Sequence, residues 1–458
     1  MQANWIAGDW RPALSGYVFR PPAARSEELL HPRSSAADVS AALDFLAAAE
    51  PAWRARAESD RRALLVRGAE LLAREPDPGG AFARLLGWTA AEAESATEHI
   101  EDELVGAVRE GARAVLGAAF GARSGIVLVR RDWSELAGGV AREVLALLAL
   151  GRGVLLLSDP AAPMVAEALA RALAELGEPL PLALLHEDGH ASLQHALRDA
   201  RVRGIAVSAP SARMREIERW LNDAARGAAH ASGFGAGLDE PPTPERALRV
   251  LRNSSRLVAR ACDPSTEAAE IVAGAFGRTA ALSGQAPGAI GRVLCHERVF
   301  SRLTAALLDE LARSPDVARP LATLDPALHL HHRRAFELGL DEGAAPVFTA
   351  ADRSAPAEPM EPERALAPIV FTNVEEHMRL AWLGRPAPLV CLMRVESDAR
   401  GQELAAALDR DPLAEDLSGE SAPAFEDEEG AQGADARRPM RATLPAHEHD
   451  VLDPENDS

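Results

Sequence analysis

Helical and strand patterns of apolar residues alternate along the first 410 residues of the chain. Ala36–Ala49 and Asp60–Arg74 carry apolar residues at helical spacing, and Ser34, Ser35 and Asp60 are candidate N-caps. Short apolar runs between turn residues predict buried strands. The strands predicted next are Ser124–Arg130, Gly153–Leu157, Leu182–Leu185 and Gly204–Val207. The helices predicted between them are Leu136–Leu150, Pro163–Leu176 and Ala191–Asp199.

This alternation predicts an α/β fold in which a doubly wound parallel sheet of the dinucleotide-binding type carries helices on both faces. Ala231–Pro244 is loop-like and predicts a domain junction, and the proline-rich segment Ser354–Pro368 predicts a surface loop. We therefore expect one domain at residues 1–235 and a second α/β domain at 236–410. The second domain's predicted elements are helices Glu267–Leu282 and Val299–Arg313 and strands Arg292–Cys295, Ile369–Phe371 and Leu389–Arg394.

Charge sets the last segment apart from the rest of the chain. Asp411–Ser458 holds 14 Asp and Glu residues and three arginines, so it carries −11 of the total net charge of −20. It is rich in Pro, Gly, Ser and Ala and has no sustained hydrophobic period. Such a composition predicts an acidic disordered tail. Both a solvating tail and an arm that docks on a basic partner remain open.

Composition excludes several classes of protein. All 49 basic residues are arginine, which excludes Schiff-base and phosphate-loop chemistry that needs a lysine amine. Three cysteines give no disulfide framework, so we expect a reducing cytoplasm. The N-terminus has no signal-peptide pattern, and no apolar stretch is long enough to span a bilayer. Because the chain is acidic, we expect binding neither to nucleic acid nor to membranes.

Six segments in collinear order resemble the aldehyde dehydrogenase superfamily over residues 1–395. They are WIAGDW (Trp5–Trp10), SAADVSAAL (Ser35–Leu43) with Pro51–Trp53 and Arg61–Leu65, SGIVLVRRDW (Ser124–Trp133), ALLALGRGVLLLSDPAAP (Ala146–Pro163), SGQAPGAIGRVLCHERVF (Ser283–Phe300) and GRPAPLVCLMRV (Gly384–Val395). The resemblance implies an aldehyde-dehydrogenase-like fold. It also implies that residues 1–235 form a degenerate NAD-binding-type domain and residues 236–410 a degenerate, shortened catalytic-type domain.

The same resemblance assigns roles that this chain's residues do not fill. The family uses a cysteine nucleophile, an asparagine in the oxyanion hole, a water-activating glutamate, a lysine and a glutamate on the cofactor's riboses, and a Gly-Ser turn at its pyrophosphate. The matching residues here are Pro287 for the nucleophile, Ser134 for the asparagine, Leu157 for the lysine, Ala209 and Pro210 for the turn, and Gly384 for the ribose glutamate. The window Arg246–Cys262, where the water-activating glutamate belongs, holds no carboxylate. The resemblance thus implies neither catalytic nor cofactor-binding residues, and no cofactor.

Other candidate residues give weaker signals. Cys295 lies eight residues after Pro287 in a predicted strand, where we expect it to be a small buried hydrophobe, as we do for Cys262 and Cys391. No metal site is predicted, because neither histidine group has a partner at ligand spacing. These groups are His329, His331 and His332, expected on a surface loop, and His447, Glu448 and His449 in the tail. The glycines of Ala231–Gly237 lack the strand and helix of a dinucleotide fingerprint.

The resemblance and the lost residues favour a catalytically inactive protein of this fold that acts as a structural or regulatory partner, with a homologous dehydrogenase subunit as one candidate partner. A shortened second sheet would leave an edge for such a partner to cover. The alternative is a divergent NAD(P)-dependent aldehyde oxidoreductase with a relocated site, for which Cys295 is the candidate and which alone would require NAD or NADP. A third interpretation is an unselected, pseudogene-like product.

Overall fold

The computed structural model describes most of the chain up to residue 410. The described residues are 3–22, 30–74, 86, 91, 100–110, 120, 125–187, 189–231, 244–278, 281–314, 321–349 and 365–410. The predicted acidic tail at 411–458 lies outside them, as do most of the predicted junction Ala231–Pro244 and most of the loop Ser354–Pro368. Within the described residues, no helix is long and apolar enough to cross a membrane.

Sixteen strands and twelve helices make up the described part of the chain. The strands are β1 (Asn4–Ile6), β2 (Asp9–Arg11), β3 (Val18–Phe19), β4 (His31–Pro32), β5 (Ile126–Arg130), β6 (Gly153–Ser158), β7 (Leu182–His186), β8 (Val202–Ala209), β9 (Glu245–Val250), β10 (Ser254–Val258), β11 (Ile290–His296), β12 (Leu321–Ala322), β13 (Ala345–Thr349), β14 (Ala365–Leu366), β15 (Ile369–Val374) and β16 (Leu389–Val395). The helices are α1 (Ala36–Ala55), α2 (Glu58–Arg74), α3 (Ile100–Glu110), α4 (Leu136–Ala149), α5 (Pro163–Ala174), α6 (Ala191–Arg198), α7 (Ser211–Ala231), α8 (Pro264–Phe276), α9 (Glu297–Arg313), α10 (Pro326–Asp341), α11 (Arg379–Trp382) and α12 (Asp398–Arg410). Short 3₁₀ turns lie at Trp133–Glu135 and Leu282–Gly284.

The first sheet confirms the predicted doubly wound α/β fold. Its seven strands run in the order β2-β1-β7-β6-β5-β8-β9, and the last five of these are parallel. Leu155 and Leu157 of β6 face a core shared with α1, α6 and α7, whereas Val154 and Leu156 face a core shared with α2, α3, α4 and α5. Because successive side chains of a strand point to opposite faces, the continuous apolar run of β6 is what a sheet covered on both faces requires.

The first residues of the chain close one edge of this sheet. The segment WIAGDW forms a hairpin of β1 and β2, with Trp5 opposite Trp10, and Ala7 and Gly8 turn it with positive φ of 59° and 84°. β1 then pairs antiparallel with β7 through Trp5 and Leu184. The hairpin therefore covers the backbone of β7, which would otherwise be the sheet's open edge.

The second sheet has five strands in the order β10-β11-β16-β15-β13, and the first four are parallel. The fifth strand, β13, is antiparallel to β15 and, among the described residues, has no strand on its outer side. β9, which follows the predicted junction, pairs with β8 of the first sheet. The domain boundary at residue 235 stays a prediction, since residues 232–243 are outside the described part.

Two predicted helix ends were wrong. The helix predicted to end at Ala49 continues as α1 through Pro51 to Ala55, because the buried Trp53 is anchored by a hydrogen bond of 2.8 Å from its Nε1 to the carbonyl of Leu148. The helix predicted over Glu267–Leu282 ends at Phe276.

Of two predicted N-caps, Ser35 is confirmed and Asp60 is wrong. Ser35 caps α1 as predicted, in a capping box with Asp38. Asp60 is not a cap, because α2 begins at Glu58 and places Asp60 in its first turn.

Candidate functional site

The carboxyl ends of β5 and β8 mark the place where a doubly wound sheet forms its ligand crevice. β5 leads to β6 on one side and β8 lies on its other side, so the chain reverses its winding between β5 and β8. Ligands of open α/β sheets bind in the crevice at such a point. The cavity found here has a volume of about 20 Å³. It is lined by Asp132, Trp133, Ser134, Pro210, Leu251, Gln285, Asp325, Leu328, Arg385 and Pro386.

A neighbouring cavity of about 10 Å³ shares Asp132 and Trp133 with the first and extends along β6. Leu157 and Asp159 are among its lining residues. The structure thus brings together three of the positions named from the sequence, since Ser134 and Pro210 line one cavity and Leu157 lines the next. Pro287 and Gly384 line neither of these two cavities.

Carboxyl groups dominate the polar side of this cleft. Asp132 is 8% exposed and the Asp159 side chain is 9% exposed, and burial together with the charge of Asp159 raises the pKa of Asp132 to about 7. Burial also raises the pKa of Asp159, against the opposing effect of Arg130. Asp325, the N-cap of α10, adds a further negative charge and bonds Arg385 at 2.5 Å. Burial thus disfavours the charged forms of Asp132 and Asp159 in this cleft.

Ser134, the residue at the oxyanion position, is committed to one of these carboxyls. Its hydroxyl donates to Asp132 Oδ1 at 2.6 Å, and its backbone N–H donates to the same atom at 3.0 Å. The residue is 5% exposed. Its side-chain donor therefore serves Asp132 rather than a ligand in the cleft.

A buried ion pair fills the groove between β5, β7 and α6. Glu187 accepts from Arg130 Nε at 3.1 Å through one carboxylate oxygen and from the backbone N–H of Leu193 at 3.1 Å through the other. Burial raises the pKa of Glu187 to about 7 despite the opposing charge of Arg130. Above the pair, the rings of His190 and Trp220 lie 5.5 Å apart and connect α6 to α7.

The two positions of the predicted pyrophosphate turn give no cradle for a phosphate. Ala209 ends β8 with 0% exposure, inside the core shared by α1, α6 and α7. Pro210 follows it, immediately before the first residue of α7, and has no N–H to donate. The carbonyl of Pro210 accepts from the N–H of Met214 at 2.9 Å.

Pro287, the predicted nucleophile position, lies in the turn before β11. Pro287 is half-buried, and Gly288 after it has a φ of 81° and donates its N–H to the carbonyl of Arg252 at 2.7 Å. Gly384, at the ribose-glutamate position, is buried, and its carbonyl accepts from the N–H of Asn253 at 2.8 Å. These contacts are turn and loop contacts between backbone groups, with no acid–base or nucleophilic side chain in them.

The window Arg246–Cys262 forms parts of β9 and β10 and the turns around them. Of these residues, Leu251 lines the cleft. The structure brings one carboxylate to β9 from elsewhere in the chain, because Glu135 bonds Arg249 at 2.8 Å. Glu135 also accepts from Ser208 Oγ at 2.5 Å, so that both of its oxygens are engaged.

The three cysteines lie outside the two cavities of the cleft. Cys295 and Cys391 are 0% and 1% exposed in the adjacent strands β11 and β16, as predicted for small buried hydrophobes. Burial raises the pKa of each of these thiols to about 12. The prediction for Cys262 was wrong, because it is half-buried in the turn after β10, where burial raises its thiol pKa as well.

The histidines near residue 330 are a further correction. His329, His331 and His332 were expected on a surface loop, but they lie within α10, where His331 is 1% and His332 is 7% exposed. The alternation of leucine and histidine hid the helical period, in which Leu328, His332 and Ala335 share the buried face.

Sequence reasoning missed a second group of buried polar residues. His31, Glu167 and His186 meet near the amino end of the chain, and all three side chains are 0% exposed. They are separated by 136 and 19 positions, so no local spacing brings them together. Their only sequence signal is their polarity at the buried positions of β4, α5 and β7.

Comparison with solved structures defines the class of fold. The NAD-dependent benzaldehyde dehydrogenase from Corynebacterium glutamicum matches with a TM-score of 0.71 and 19% identity over 89% of this chain and 87% of that chain. A 3,6-anhydro-L-galactose dehydrogenase matches with a TM-score of 0.73 and 14% identity over 88% and 84%. The NADP-dependent glyceraldehyde-3-phosphate dehydrogenase from Bacillus halodurans matches with a TM-score of 0.70 and 19% identity over 88% and 83%. The chain therefore has the aldehyde dehydrogenase fold.

Sequence comparison finds a match to the aldehyde dehydrogenase family in the second half of the chain. Residues 248–409 match the model of the aldehyde dehydrogenase family. A 69-residue stretch is 45% identical to the fluoroacetaldehyde dehydrogenase of Streptantibioticus cattleyicolor and spans 15% of this chain and 14% of that protein. The family model thus matches the part of the chain that forms the second sheet, β10, β11, β13, β15 and β16. Most of the first sheet lies outside that match and is similar to aldehyde dehydrogenases in fold.

Proposed function

We propose that this chain is an aldehyde dehydrogenase relative over residues 1–395, that it has lost dehydrogenase chemistry, and that it serves in the cytoplasm as a structural or regulatory partner in a complex, for which an active dehydrogenase subunit is the candidate partner. The observation that carries the proposal is the position of the cysteines. A thiohemiacetal requires a thiolate beside the bound aldehyde. Pro287 stands at the nucleophile position, and Cys295 and Cys391 are thiols with pKa values of about 12 inside the second sheet.

The cleft also does not fit a dinucleotide. Cavities of about 10 and 20 Å³ hold roughly one water molecule each. Leu157, at the ribose-lysine position, is 1% exposed and has no hydrogen-bonding group. Asp132 and Asp159 line the same cavity as Leu157, and ionisation of either carboxyl there would repel a pyrophosphate. We therefore derive no step through NAD or NADP.

The alternative oxidoreductase with a relocated nucleophile gains no support from these residues. Its candidate, Cys295, pairs within β11 between β10 and β16 and is 0% exposed. Its sulfur contacts the carbonyl of His296 at 3.6 Å. A nucleophile at this place would have to leave the sheet to reach a substrate.

Two surfaces support a role as a protein partner. Trp10, Leu14, Tyr17 and Val18 are 40%, 68%, 70% and 41% exposed, which groups four large apolar side chains within residues 10–18. Exposed apolar groups of this kind mark interaction sites on soluble proteins. β13 adds an edge strand whose outer side pairs with no strand of the described part, and Val347 on it is 37% exposed.

The loss of chemistry is tested with pure full-length protein. Incubation with NAD⁺ or NADP⁺ and a panel of aldehydes should give no reduced nicotinamide, while an active aldehyde dehydrogenase in parallel gives steady turnover. Calorimetry should detect no NAD(P)⁺ binding at micromolar concentrations. Steady turnover would contradict the proposal, and its disappearance in Cys295→Ser but not in Cys262→Ser would establish the relocated-site alternative.

The partner role needs its own measurement. A tagged chain expressed in its native host should copurify an aldehyde dehydrogenase polypeptide in a fixed ratio, identified by mass spectrometry. The double variant Trp10→Ser and Tyr17→Ser should lose that polypeptide. Leu340→Ser is the matched control, because Leu340 is 47% exposed on α10, away from residues 10–18 in the sequence. Recovery of the chain alone, or equal loss in all variants, would contradict this part.

A further inference from the structure

Three potential metal ligands converge in the described part of the chain beside the first strand of the first sheet. His31 comes from β4, Glu167 from α5 and His186 from the last residue of β7. His31 Nδ1 lies 2.9 Å and His186 Nε2 lies 3.2 Å from the same carboxylate oxygen, Glu167 Oε1. One ligand atom from each residue lies within 4.8 Å of the other two. Two imidazoles and one carboxylate are a common ligand set for zinc.

The cluster of His31, Glu167 and His186 is buried and leaves one carboxylate oxygen without a hydrogen-bond partner. All three side chains are 0% exposed. Both imidazoles approach the same oxygen, and the other oxygen, Oε2, has no hydrogen-bond partner. Arg171 NH1 lies 3.9 Å from Oε2, which is too far for a hydrogen bond, and the Arg171 side chain is 40% exposed. Because this carboxylate is fully buried, the unbonded Oε2 has no solvent to replace the missing partner and is available to a cation.

The spacing of the ligand atoms fits a tetrahedral ion. Ligand atoms that each lie roughly 2.1 Å from such an ion are about 3.4 Å from one another. The two nitrogen–oxygen distances in this cluster, 2.9 and 3.2 Å, are slightly shorter, so a small outward movement of the side chains would admit the ion. The carbonyl oxygen of Ala3 is 3.2 Å from His186 Nε2 and is a candidate for the fourth ligand of the ion.

The surroundings orient one of the imidazoles as metal sites usually do. The other nitrogen of His186, Nδ1, is 3.0 Å from the Ser158 hydroxyl at the end of β6. With a metal on Nε2, the proton of this imidazole would lie on Nδ1 and be donated to the Ser158 hydroxyl. The backbone N–H of His186 is also held, by Asn4 Oδ1 at 3.1 Å.

We propose that His31 Nδ1, His186 Nε2 and the Glu167 carboxylate bind one zinc-type divalent cation. Because the cluster is buried, the ion is structural. It ties the segment around β4 and the first residues of the chain to β7 and α5 of the first sheet. Imidazole-rich sites favour zinc over magnesium or calcium, which prefer oxygen ligands. This proposal stands independently of the proposed function, since it involves neither the cleft nor a partner.

The direct test is metal content and coordination of the full-length protein. Protein expressed in zinc-supplemented medium should carry about one zinc per chain. X-ray absorption should show two imidazole nitrogens with oxygen ligands, and thermal unfolding should shift downward by several degrees after metal is removed with EDTA. Cobalt replacing zinc should give the intense visible bands of a tetrahedral site.

Variants locate the ion. His31→Gln and Glu167→Gln should both lose the zinc and the cobalt bands. His195→Asn is the matched control, because His195 of α6 bonds Ser40 of α1 and lies outside the cluster. The double variant His447→Ala and His449→Ala removes the histidine pair of the acidic tail and should keep the zinc. The proposal is overturned by wild-type protein without zinc, by zinc with no imidazole ligand in X-ray absorption, or by zinc that disappears with the tail histidines.

Discussion

Ser134 donates both its hydroxyl and its backbone N–H to a single oxygen of Asp132, at 2.6 and 3.0 Å. Ser134, which the family resemblance predicts at the oxyanion position, therefore stabilises a buried carboxyl of its own chain. Burial and the charge of the neighbouring Asp159 both oppose the ionisation of Asp132 and raise its pKa. The polar groups of Ser134 and Asp132 thus bond each other and not a ligand in the cleft.

Removal of the Ser134 hydroxyl should destabilise the protein. We expect Ser134→Ala to lower the free energy of unfolding by about 1–3 kcal/mol at pH 8, because a hydrogen bond to an ionised buried group is lost. The loss should be smaller at pH 5, where Asp132 is protonated. Urea unfolding at both pH values measures the difference. Ser15→Ala is the control, since the Ser15 hydroxyl bonds the Arg33 carbonyl at an exposed site and should change stability little. Equal losses for both variants would contradict the assignment.

The raised pKa of Asp132 predicts a dependence of stability on pH. The unfolded chain releases this proton near pH 3.8, whereas the folded chain holds it to about 7. Between these values the folded state binds more protons, so this group's contribution to stability falls as pH rises through the window. The slope approaches about 1.4 kcal/mol per pH unit for one full proton.

Asp132→Asn removes this contribution and keeps an oxygen that can accept from Ser134. We expect its urea-unfolding free energy to depend less steeply on pH between 4 and 7 than that of wild type, and to exceed the wild-type value at pH 8. Glu187 contributes a slope of the same sign, because its pKa is also about 7 in place of 4.5. Asp132→Asn should therefore reduce the pH dependence of the unfolding free energy without abolishing it, because the contribution of Glu187 remains. A curve parallel to that of wild type would show that Asp132 ionises normally.

Continuous apolar strands are the part of the fold that the sequence predicts best. The runs at Ile126–Arg130, Gly153–Ser158 and Leu182–His186 lie within a residue or two of the predicted strands, because strands buried on both faces carry almost no polar residues. Helix ends were less predictable. The apolar spacing predicted an end to α1 at Ala49, but the helix continues to Ala55, with Trp53 held by a tertiary hydrogen bond to Leu148.

The polar interior could not be predicted for a different physical reason. Arg130 and Glu187 meet because β5 and β7 flank β6, a relationship that exists only once the sheet has its strand order. His31 reaches Glu167 through the same kind of long-range contact. Sequence patterns report which residues are buried far better than which buried residues touch. The roles predicted for Pro287 and Leu157 rest on the family resemblance alone, because neither residue carries a chemical signal of its own.

The cysteines should differ sharply in reactivity. We expect Cys262 to be the first thiol of the native protein to react with iodoacetamide at pH 8, because it is half-buried, while Cys295 and Cys391 stay unlabelled until the protein unfolds. Both buried thiols have pKa values of about 12, so almost no thiolate is present. Peptide mapping by mass spectrometry after short labelling identifies the modified residues. Rapid labelling of Cys295 in the folded protein would revive the relocated-nucleophile alternative.

The buried pair of Arg130 and Glu187 should matter far more than a surface pair of similar length. Arg130→Met leaves Glu187 and Asp159 buried without their cation, so we expect a loss of about 3–5 kcal/mol at pH 8. Glu187→Gln should cost less, because Arg130 keeps Asp159 at 3.6 Å and glutamine can still bond the Leu193 N–H.

The pH of the measurement separates charge from packing. At pH 5 Glu187 can take up a proton, so the cost of Arg130→Met should shrink, which loss of packing alone would not do. Glu178→Gln supplies the comparison, since Glu178 bonds Arg56 at 2.7 Å with both side chains about 40% exposed and should cost less than about 1 kcal/mol. Urea unfolding of the three variants at pH 5 and pH 8 gives these values. An Arg130→Met cost that is the same at both pH values would mean that the arginine stabilises the groove by packing and not by charge.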